Sequence, residues 1–125
     1  MPVMLPSRRL AGSFYVGAPR QYRITDRAGV QHDAYRVVLQ ADGIGQFYGV
    51  QGTKWKRPPL LEHPDAERTV AGRKLLLYYD GGKLRRVALR TSSGVFWLSN
   101  TLNLRLSNRQ MLAIASSLRA AGTSR

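Results

Sequence analysis

The sequence predicts an α+β domain: a curved antiparallel sheet of about six or seven strands with one C-terminal helix packed on one face. Three observations support this prediction. Short aromatic or β-branched segments of alternating polarity recur along the chain, turn-forming residues separate them, and one helical pattern follows them. Because the chain shows no internal repeat and no low-complexity linker, we expect one domain over residues 1–125, with an N-terminal arm at 1–10 and a frayed tail at 122–125.

The strands are predicted from alternating apolar residues bounded by turn formers. In chain order they are Ser13–Gly17, Arg20–Thr25, Asp33–Gln40, Gln46–Gln51, Gly72–Tyr79, Leu84–Arg90 and Val95–Ser99. Turns are predicted at Asp26–Gly29, Ala41–Gly43 and Thr91–Gly94. Asp80-Gly81-Gly82 predicts a hairpin with a type I′ turn, which requires positive φ. The hairpins favour antiparallel pairing throughout.

Two segments do not follow the simple strand pattern. The segment Trp55–Asp65, called the proline loop below, contains three prolines and little periodicity, so we expect an ordered loop. Phe96 and Trp97 are adjacent in a strand, and neighbouring side chains point to opposite faces. One of them is therefore expected to pack against the helix while the other faces out or lies under a loop.

The C-terminal helix is predicted over Ser107–Ala121. Ser107 and Gln110 fit a capping box, in which each side chain bonds to the backbone of the other residue. One apolar stripe is formed by Met111, Ile114, Ala115 and Leu118. Gly122 is expected as the C-cap, with Arg119 near the negative end of the helix dipole. The stripe is expected to dock on the sheet and close the core.

Composition narrows the classes of function. The chain has 20 Lys and Arg against 7 Asp and Glu, a formal net charge of +13, which points to an anionic partner such as nucleic acid, an acidic membrane surface or a phosphate-bearing polymer. No cysteine is present, so disulfides, thiolate metal sites and thiol catalysis are excluded. No apolar run approaches the ~20 residues of a membrane span, and the apolar part of the N-terminus is too short for a signal peptide.

The sequence gives no support for catalysis or for a metal. His32 and His63 lack metal-ligand spacing, and no nucleophile is marked beside either of them. The acidic residues do not form the spaced pairs that a divalent metal or a glycosidase requires. Glycine-rich segments such as Gly49–Gly52 do not lead into a helix, as a phosphate loop would. We therefore predict a protein that is not an enzyme, with no catalytic residues, metal or cofactor.

The candidate binding residues lie in the segment Gly45–Leu61. Trp55 stands between Lys54 and Lys56 and is followed by Arg57, an arrangement suited to holding something anionic or planar. Further polar contacts near this tryptophan are predicted for Gln51, Asn100 and Thr101. The remaining residues of the segment, Gly49, Gly52 and Pro58-Pro59, are interpreted as architecture.

Several runs carry a family resemblance. They are Gln46–Trp55, Pro58–Leu61, Gly72–Lys74, Tyr79–Gly81, Leu84–Ala88, Phe96–Leu102 and Leu106–Ala115. In these runs the chain resembles, from about Leu5 to Leu118, the C-terminal accessory region that follows the catalytic domain in some actinobacterial LytR–CpsA–Psr family proteins. The most specific part is the aromatic–Trp–Ser–Asn–Thr–Leu run at 96–102.

The resemblance implies an extracytoplasmic setting in cell-envelope assembly, where phosphate-linked glycopolymers move from polyprenyl carriers to peptidoglycan. The arginine and aspartate constellation of the transferase domain has no counterpart in the chain, so the resemblance implies an accessory role and no activity. If the resemblance does not hold, a cytoplasmic location is expected.

Three functions follow as hypotheses. The leading one is a non-catalytic accessory domain of envelope biogenesis that binds anionic cell-wall glycopolymer or polyprenyl-linked phosphate. The second is a basic domain that binds nucleic acid generally, with an affinity that falls steeply as salt rises. The third is a protein-interaction module whose sheet edge or terminal helix docks on a transferase domain.

Overall fold

The computed structural model describes residues 1–41 and 45–121. In chain order the strands are β1 (Met4–Pro6), β2 (Phe14–Tyr15), β3 (Arg20–Thr25), β4 (Gln31–Gln40), β5 (Phe47–Thr53), β6 (Ala66–Val70), β7 (Arg73–Asp80), β8 (Lys83–Thr91), β9 (Gly94–Ser99) and β10 (Leu118–Ala120). A 3₁₀ turn lies at Pro59–Leu61, and helix α1 spans Asn108–Ser116. The predicted α+β class with a C-terminal helix is confirmed.

Eight of the strands form one antiparallel sheet in the order β2-β4-β5-β9-β8-β7-β6, with β3 also paired to β4. Strands β2 and β3 share one edge of β4, and β5 takes its other edge. Strands β6 to β9 form a meander, and its last strand pairs with β5. The β5–β9 pairing therefore joins two local hairpin units into one sheet.

One face of this sheet, called the inner face, carries the main core. Strand residues such as Tyr35, Leu77 and Phe96 pack there against Met111 and Ile114 of α1, all of them buried. The predicted capping box is present: the Gln110 backbone N–H donates to Ser107 Oγ at 3.1 Å, and the Ser107 N–H donates to Gln110 Oε1 at 2.8 Å. The helix is thus fixed where its apolar side meets β7, β8 and β9.

The helix is shorter than the sequence predicts. It ends at Ser116, and the residues that follow form β10, which pairs antiparallel with β1. The predicted extension to Ala121 is wrong, as is the placement of Arg119 at the helix end, because β1 offers this segment backbone partners such as Val3 O, which accepts from the Ala121 N–H at 2.8 Å. Leu118 is fully buried, as its place in the apolar stripe predicted, but it lies in strand β10 and not in the helix.

Other sequence predictions differ at the chain's periphery. The predicted N-terminal arm contains β1, in which Met4 is buried. Strand β6 was not predicted, because almost all of its side chains are exposed and it lacks an apolar pattern. Gly81 has a φ of +63° but Gly82 does not have positive φ, which fits a type II′ turn better than the predicted type I′. The predicted C-cap at Gly122, the tail at 122–125 and the Asp42-Gly43 part of one turn lie outside the described residues.

The opposite face of the sheet, called the outer face, is only half covered. The proline loop lies over its β7–β9 half, where Leu61 packs in a second apolar cluster with Tyr78 and Trp97. The Tyr78 hydroxyl donates to the Leu61 carbonyl at 2.8 Å, which fixes the loop on the sheet. As predicted for adjacent strand residues, Phe96 faces the helix and Trp97 lies under the loop. The β3–β5 half of the outer face carries no such cover among the described residues.

Gly52 is where the inner face is packed most tightly. A Cβ atom at this position would lie 2.4 Å from Cε1 of Tyr35 and 2.6 Å from Cδ1 of Phe96. The rings of Tyr35 and Phe96 are tilted against each other with centroids 6.1 Å apart. Only a residue without a side chain allows these two rings to meet, so the interpretation of Gly52 as architecture has a direct physical reason.

We therefore predict that Gly52→Ala lowers the free energy of unfolding by about 1–3 kcal/mol, the usual cost of overpacking a core. The measurement is urea denaturation followed by tryptophan fluorescence. The matched control is Gly82→Ala, where a Cβ would meet nothing within 4 Å and φ is not positive. Equal stability of Gly52→Ala and wild type would contradict the packing argument.

Candidate anion-binding site

The candidate site begins where β5 ends. Thr53 is fully buried, and its Oγ1 donates to the Asp33 carbonyl at 2.9 Å while accepting from the Trp55 N–H at 3.1 Å. The Lys54 N–H donates to the same Asp33 carbonyl at 2.9 Å. These bonds hold the backbone against β4, and the Lys54 side chain is left exposed at the rim of the sheet.

The next residues are held by the prolines and by an arginine of β8. Pro58 is buried in an extended conformation, and its carbonyl accepts from the Leu61 N–H at 3.0 Å to start the 3₁₀ turn. The Arg90 guanidinium donates to the Lys56 carbonyl. Lys56 and Arg57 are therefore exposed on a backbone that is anchored at both ends.

Together these cations surround the tight turn between β8 and β9. Two adjoining clefts, of about 260 Å³ and about 350 Å³, share Lys56, Ser92 and Gly94. Arg57 and Arg90 line the first, and Lys54 and Ser93 line the second. We call this combined site the basic cleft, and no Asp or Glu lines it.

The basic cleft has the chemistry of an anion site. Guanidinium and ammonium groups bind phosphate and carboxylate oxygens through charge-assisted hydrogen bonds, and serine hydroxyls add neutral donors. Among the described residues, no ion pair includes Lys54, Lys56, Arg57 or Arg90. A bound anion would therefore relieve the mutual repulsion of these cations.

Trp55 turns away from the basic cleft. Its ring stacks on His32 with centroids 5.3 Å apart and an angle of 10° between the planes, and it is half-buried. His32 Nε2 lies 2.8 Å from Asp26 Oδ2, and this hydrogen bond, followed by one from the Val30 N–H, lowers the pKa of Asp26. Trp55 does not line the basic cleft, although it shares a different cleft with Arg57 and Asp26, and one face of its ring is already occupied by an imidazole.

The other predicted contacts have different surroundings. Gln51 lies on the outer face, where its Oε1 accepts from Trp97 Nε1 at 3.1 Å and its Nε2 lies 3.5 Å from the Tyr22 hydroxyl. Asn100 and Thr101 follow β9 at the end that pairs with Gly49, whereas the basic cleft adjoins the end that pairs with Thr53. The structure therefore does not bring Asn100 and Thr101 to the proline loop.

Asn100 organises the chain between β9 and α1. Its Nδ2 donates to the carbonyls of Leu84 and Leu106, both at 2.9 Å, and its Oδ1 accepts from the N–H groups of Thr101 and Leu106 at 2.7 Å and 3.0 Å. Thr101 is buried, and its Oγ1 accepts from the Arg105 N–H at 2.9 Å. All four hydrogen-bonding positions of the Asn100 amide are thereby used within the protein.

Sequence reasoning missed Arg90, Ser92 and Ser93 as partners of the lysines. They reach the site because Thr53 pairs with Val95, which in turn pairs with Arg90. The sequence predicted the turn at Thr91–Gly94 that contains the two serines. It could not predict that this turn lies beside the lysines, because β5 and β9 are separated by four structural elements along the chain.

The described residues contain neither a cluster of metal ligands nor a membrane-spanning helix. No group of three or more His, Asp or Glu side chains in this part of the chain is placed to hold a metal ion. No described helix has the length and apolar character needed to cross a membrane.

Comparison with protein-family models, with curated proteins and with solved structures finds no match to this chain. The resemblance to the LytR–CpsA–Psr accessory region therefore stays an expectation from the sequence.

The Asp26–His32 bond predicts an acid-sensitive term in stability. Because the pKa of Asp26 is lowered on folding, the stabilisation is present above its unfolded pKa of about 4 and is lost as pH falls through the folded value. Asp26→Asn should therefore lose less stability than wild type on acidification, measured as urea midpoints at a series of pH values. Asp80→Asn on the β7–β8 hairpin is the matched charge control and should follow wild type.

Asn100→Ala tests the structural role of Asn100. The substitution leaves several backbone groups between β9 and α1 without partners, so the free energy of unfolding should fall by about 1–3 kcal/mol or more. Asn103→Ala, at an exposed position in the same connection, should change it little. A stable Asn100→Ala protein would show that this amide is dispensable for folding.

Proposed function

We propose that this domain is a non-catalytic accessory domain of cell-envelope biogenesis that binds a phosphate-bearing glycopolymer, or the phosphate of a polyprenyl carrier, in the basic cleft. The observation that carries the proposal is the convergence of Lys54, Lys56, Arg57 and Arg90 on one turn without a carboxylate among the lining residues. The glycopolymer class comes from the family resemblance, which implies an extracytoplasmic role.

The local arrangement supports the proposal more than the net charge does. Exposed arginines also occur far from the basic cleft, including Arg68 on β6, Arg109 on α1 and Arg119 on β10. Such residues raise the general attraction of the protein for anions but select no position. The basic cleft differs because its cations come from two separate segments, and the Arg90 guanidinium links these segments by donating to the Lys56 carbonyl.

A binding role fits the basic cleft better than a catalytic one. The hydroxyls of Ser92 and Ser93 line it, but no His, Asp or Glu does. A serine needs an adjacent general base to become an effective nucleophile. The proposed role of these hydroxyls is therefore to donate hydrogen bonds to a bound anion.

The test is the triple variant Lys54→Gln/Lys56→Gln/Arg57→Gln, which leaves the Arg90 anchor in place. We expect its affinity for purified teichoic acid to fall about tenfold or more at about 50 mM salt, because each lost charge–phosphate contact removes a fraction of a kcal/mol or more. The dependence of affinity on salt should also become shallower, since fewer counterions are released. Isothermal titration calorimetry measures both, and vesicles containing polyprenyl phosphate provide the second ligand.

The control is Arg68→Gln/Arg109→Gln/Arg119→Gln, which removes the same charge outside the basic cleft. Equal losses in the two triple variants would reduce the effect to bulk charge and contradict the site. If wild type binds neither teichoic acid nor polyprenyl phosphate at low salt, the proposal fails. Tighter binding of single-stranded DNA with the same dependence on the basic cleft would favour the nucleic-acid function instead.

A further inference from the structure

The uncovered half of the outer face contains a groove, called the sheet groove. It has a volume of about 300 Å³ and is lined by residues that include Arg36, Phe47, Gly49 and Ser99. Gly49 is one of its lining residues, and a Cβ there would lie 2.7 Å from the Val37 carbonyl oxygen. Because position 49 is glycine, no β5 side chain projects on this face between Phe47 and Gln51.

Arg36 lines the sheet groove, and Arg20 lies next to Arg36 on the neighbouring strand. Arg20 of β3 and Arg36 of β4 are direct cross-strand partners and are both exposed. Like charges in this position are destabilising, and among the described residues neither arginine takes part in an ion pair. No Asp or Glu lines the sheet groove either. An anion bound between the two guanidinium groups would remove the repulsion.

Exposed aromatic surface adjoins these cations. Phe47 is 45% exposed and Phe14 is 52% exposed, and both flank Gln40 on the outer face. A ring beside hydrogen-bond donors suits a ligand that has both an apolar face and polar edges, as a pyranose has. Ser99 and Arg36, which both line the sheet groove, carry hydrogen-bond donors.

We infer that the sheet groove is a second subsite for the same polymer, where Arg20 and Arg36 bind a phosphate and Phe47 packs against the adjoining sugar ring. The inference rests on the proposed function of the basic cleft. The sheet groove lies at Gly49 of β5, and the basic cleft begins at Lys54, directly after Thr53; Gly49 and Thr53 are four residues, or roughly 13 Å, apart along the strand. A polymer of sugar and phosphate units spans that distance, whereas a single phosphate group does not.

Two linked subsites give a specific dependence on ligand length. A short oligomer occupies only one subsite, while a longer one occupies both and gains affinity through effective concentration. The gain should require both the arginines and the phenylalanine. It should also require sugar on the polymer, because a bare polyol phosphate offers Phe47 no ring.

The experiment compares size-fractionated, glycosylated poly(ribitol phosphate) on wild type and on Arg36→Gln/Phe47→Ser. We expect long oligomers to bind wild type about tenfold or more tightly than short ones. The double variant should lose this gain while its affinity for short oligomers stays within about twofold of wild type. The matched control, Leu102→Ser/Arg109→Gln, removes one exposed apolar side chain and one charge elsewhere and should behave as wild type.

A second measurement does not depend on a folded variant. In ¹⁵N-labelled wild type, the amides of Gly49 and Ser99 should shift with long oligomers and stay unchanged with short ones. Unaltered length dependence in Arg36→Gln/Phe47→Ser, or no shift at Gly49 and Ser99, overturns the inference while leaving the basic cleft intact. If only the Lys54→Gln/Lys56→Gln/Arg57→Gln variant loses binding at all oligomer lengths, the result supports the basic cleft and contradicts a contribution of the sheet groove. Displacement of the polymer from both subsites by oligo(dT) at equal salt would overturn the sugar–phosphate occupant.

Discussion

The contact that the rest of the structure depends on is the packing of Tyr35 and Phe96 across Gly52. It lets β5 lie between β4 and β9, and that position joins the β3–β5 unit to the β6–β9 meander. The Tyr35 hydroxyl then donates to the Met4 carbonyl at 2.7 Å and accepts from the Met4 N–H at 3.0 Å. Burial raises the pKa of Tyr35, so the hydroxyl keeps the proton that it donates. Through Met4 it positions β1, and through β1 the strand β10 that ends the helical segment.

The two faces of this sheet are covered by different elements and to different extents. Helix α1 covers the β7–β9 part of the inner face and β1 contacts β5, while the proline loop covers only the β7–β9 half of the outer face. Both candidate subsites lie beside the edge of that cover. The basic cleft is formed where the loop crosses the β8–β9 turn, and the sheet groove is formed where the cover stops. The position of the loop therefore determines both which apolar residues are buried and which polar surface is left accessible.

Local features of this fold were predictable from the sequence, and features set by distant pairing were not. The β7–β8 hairpin, the capping box at Ser107 and the opposite orientations of Phe96 and Trp97 each depend on neighbouring residues alone. The end of α1 was missed because β1, more than a hundred residues away, competes for that backbone. For the same reason the sequence pointed to Lys54, Lys56 and Arg57 as candidates but not to Arg90, which reaches them only through the pairing of β5, β9 and β8. Trp55 lies between two lysines in the sequence, but in the structure its ring stacks on His32.

The positions of the acidic residues affect where the positive charge of the protein can attract an anion. Asp33 lies within 4.0 Å of the N-terminal amine and 3.6 Å from Arg23, and Glu67 lies 3.2 Å from Lys74. Asp26 binds His32, and Asp65 accepts from the Tyr79 N–H at 2.7 Å. None of these carboxylates lines the basic cleft or the sheet groove. A carboxylate in either lining would offset the attraction of the cations for a phosphate group at short range.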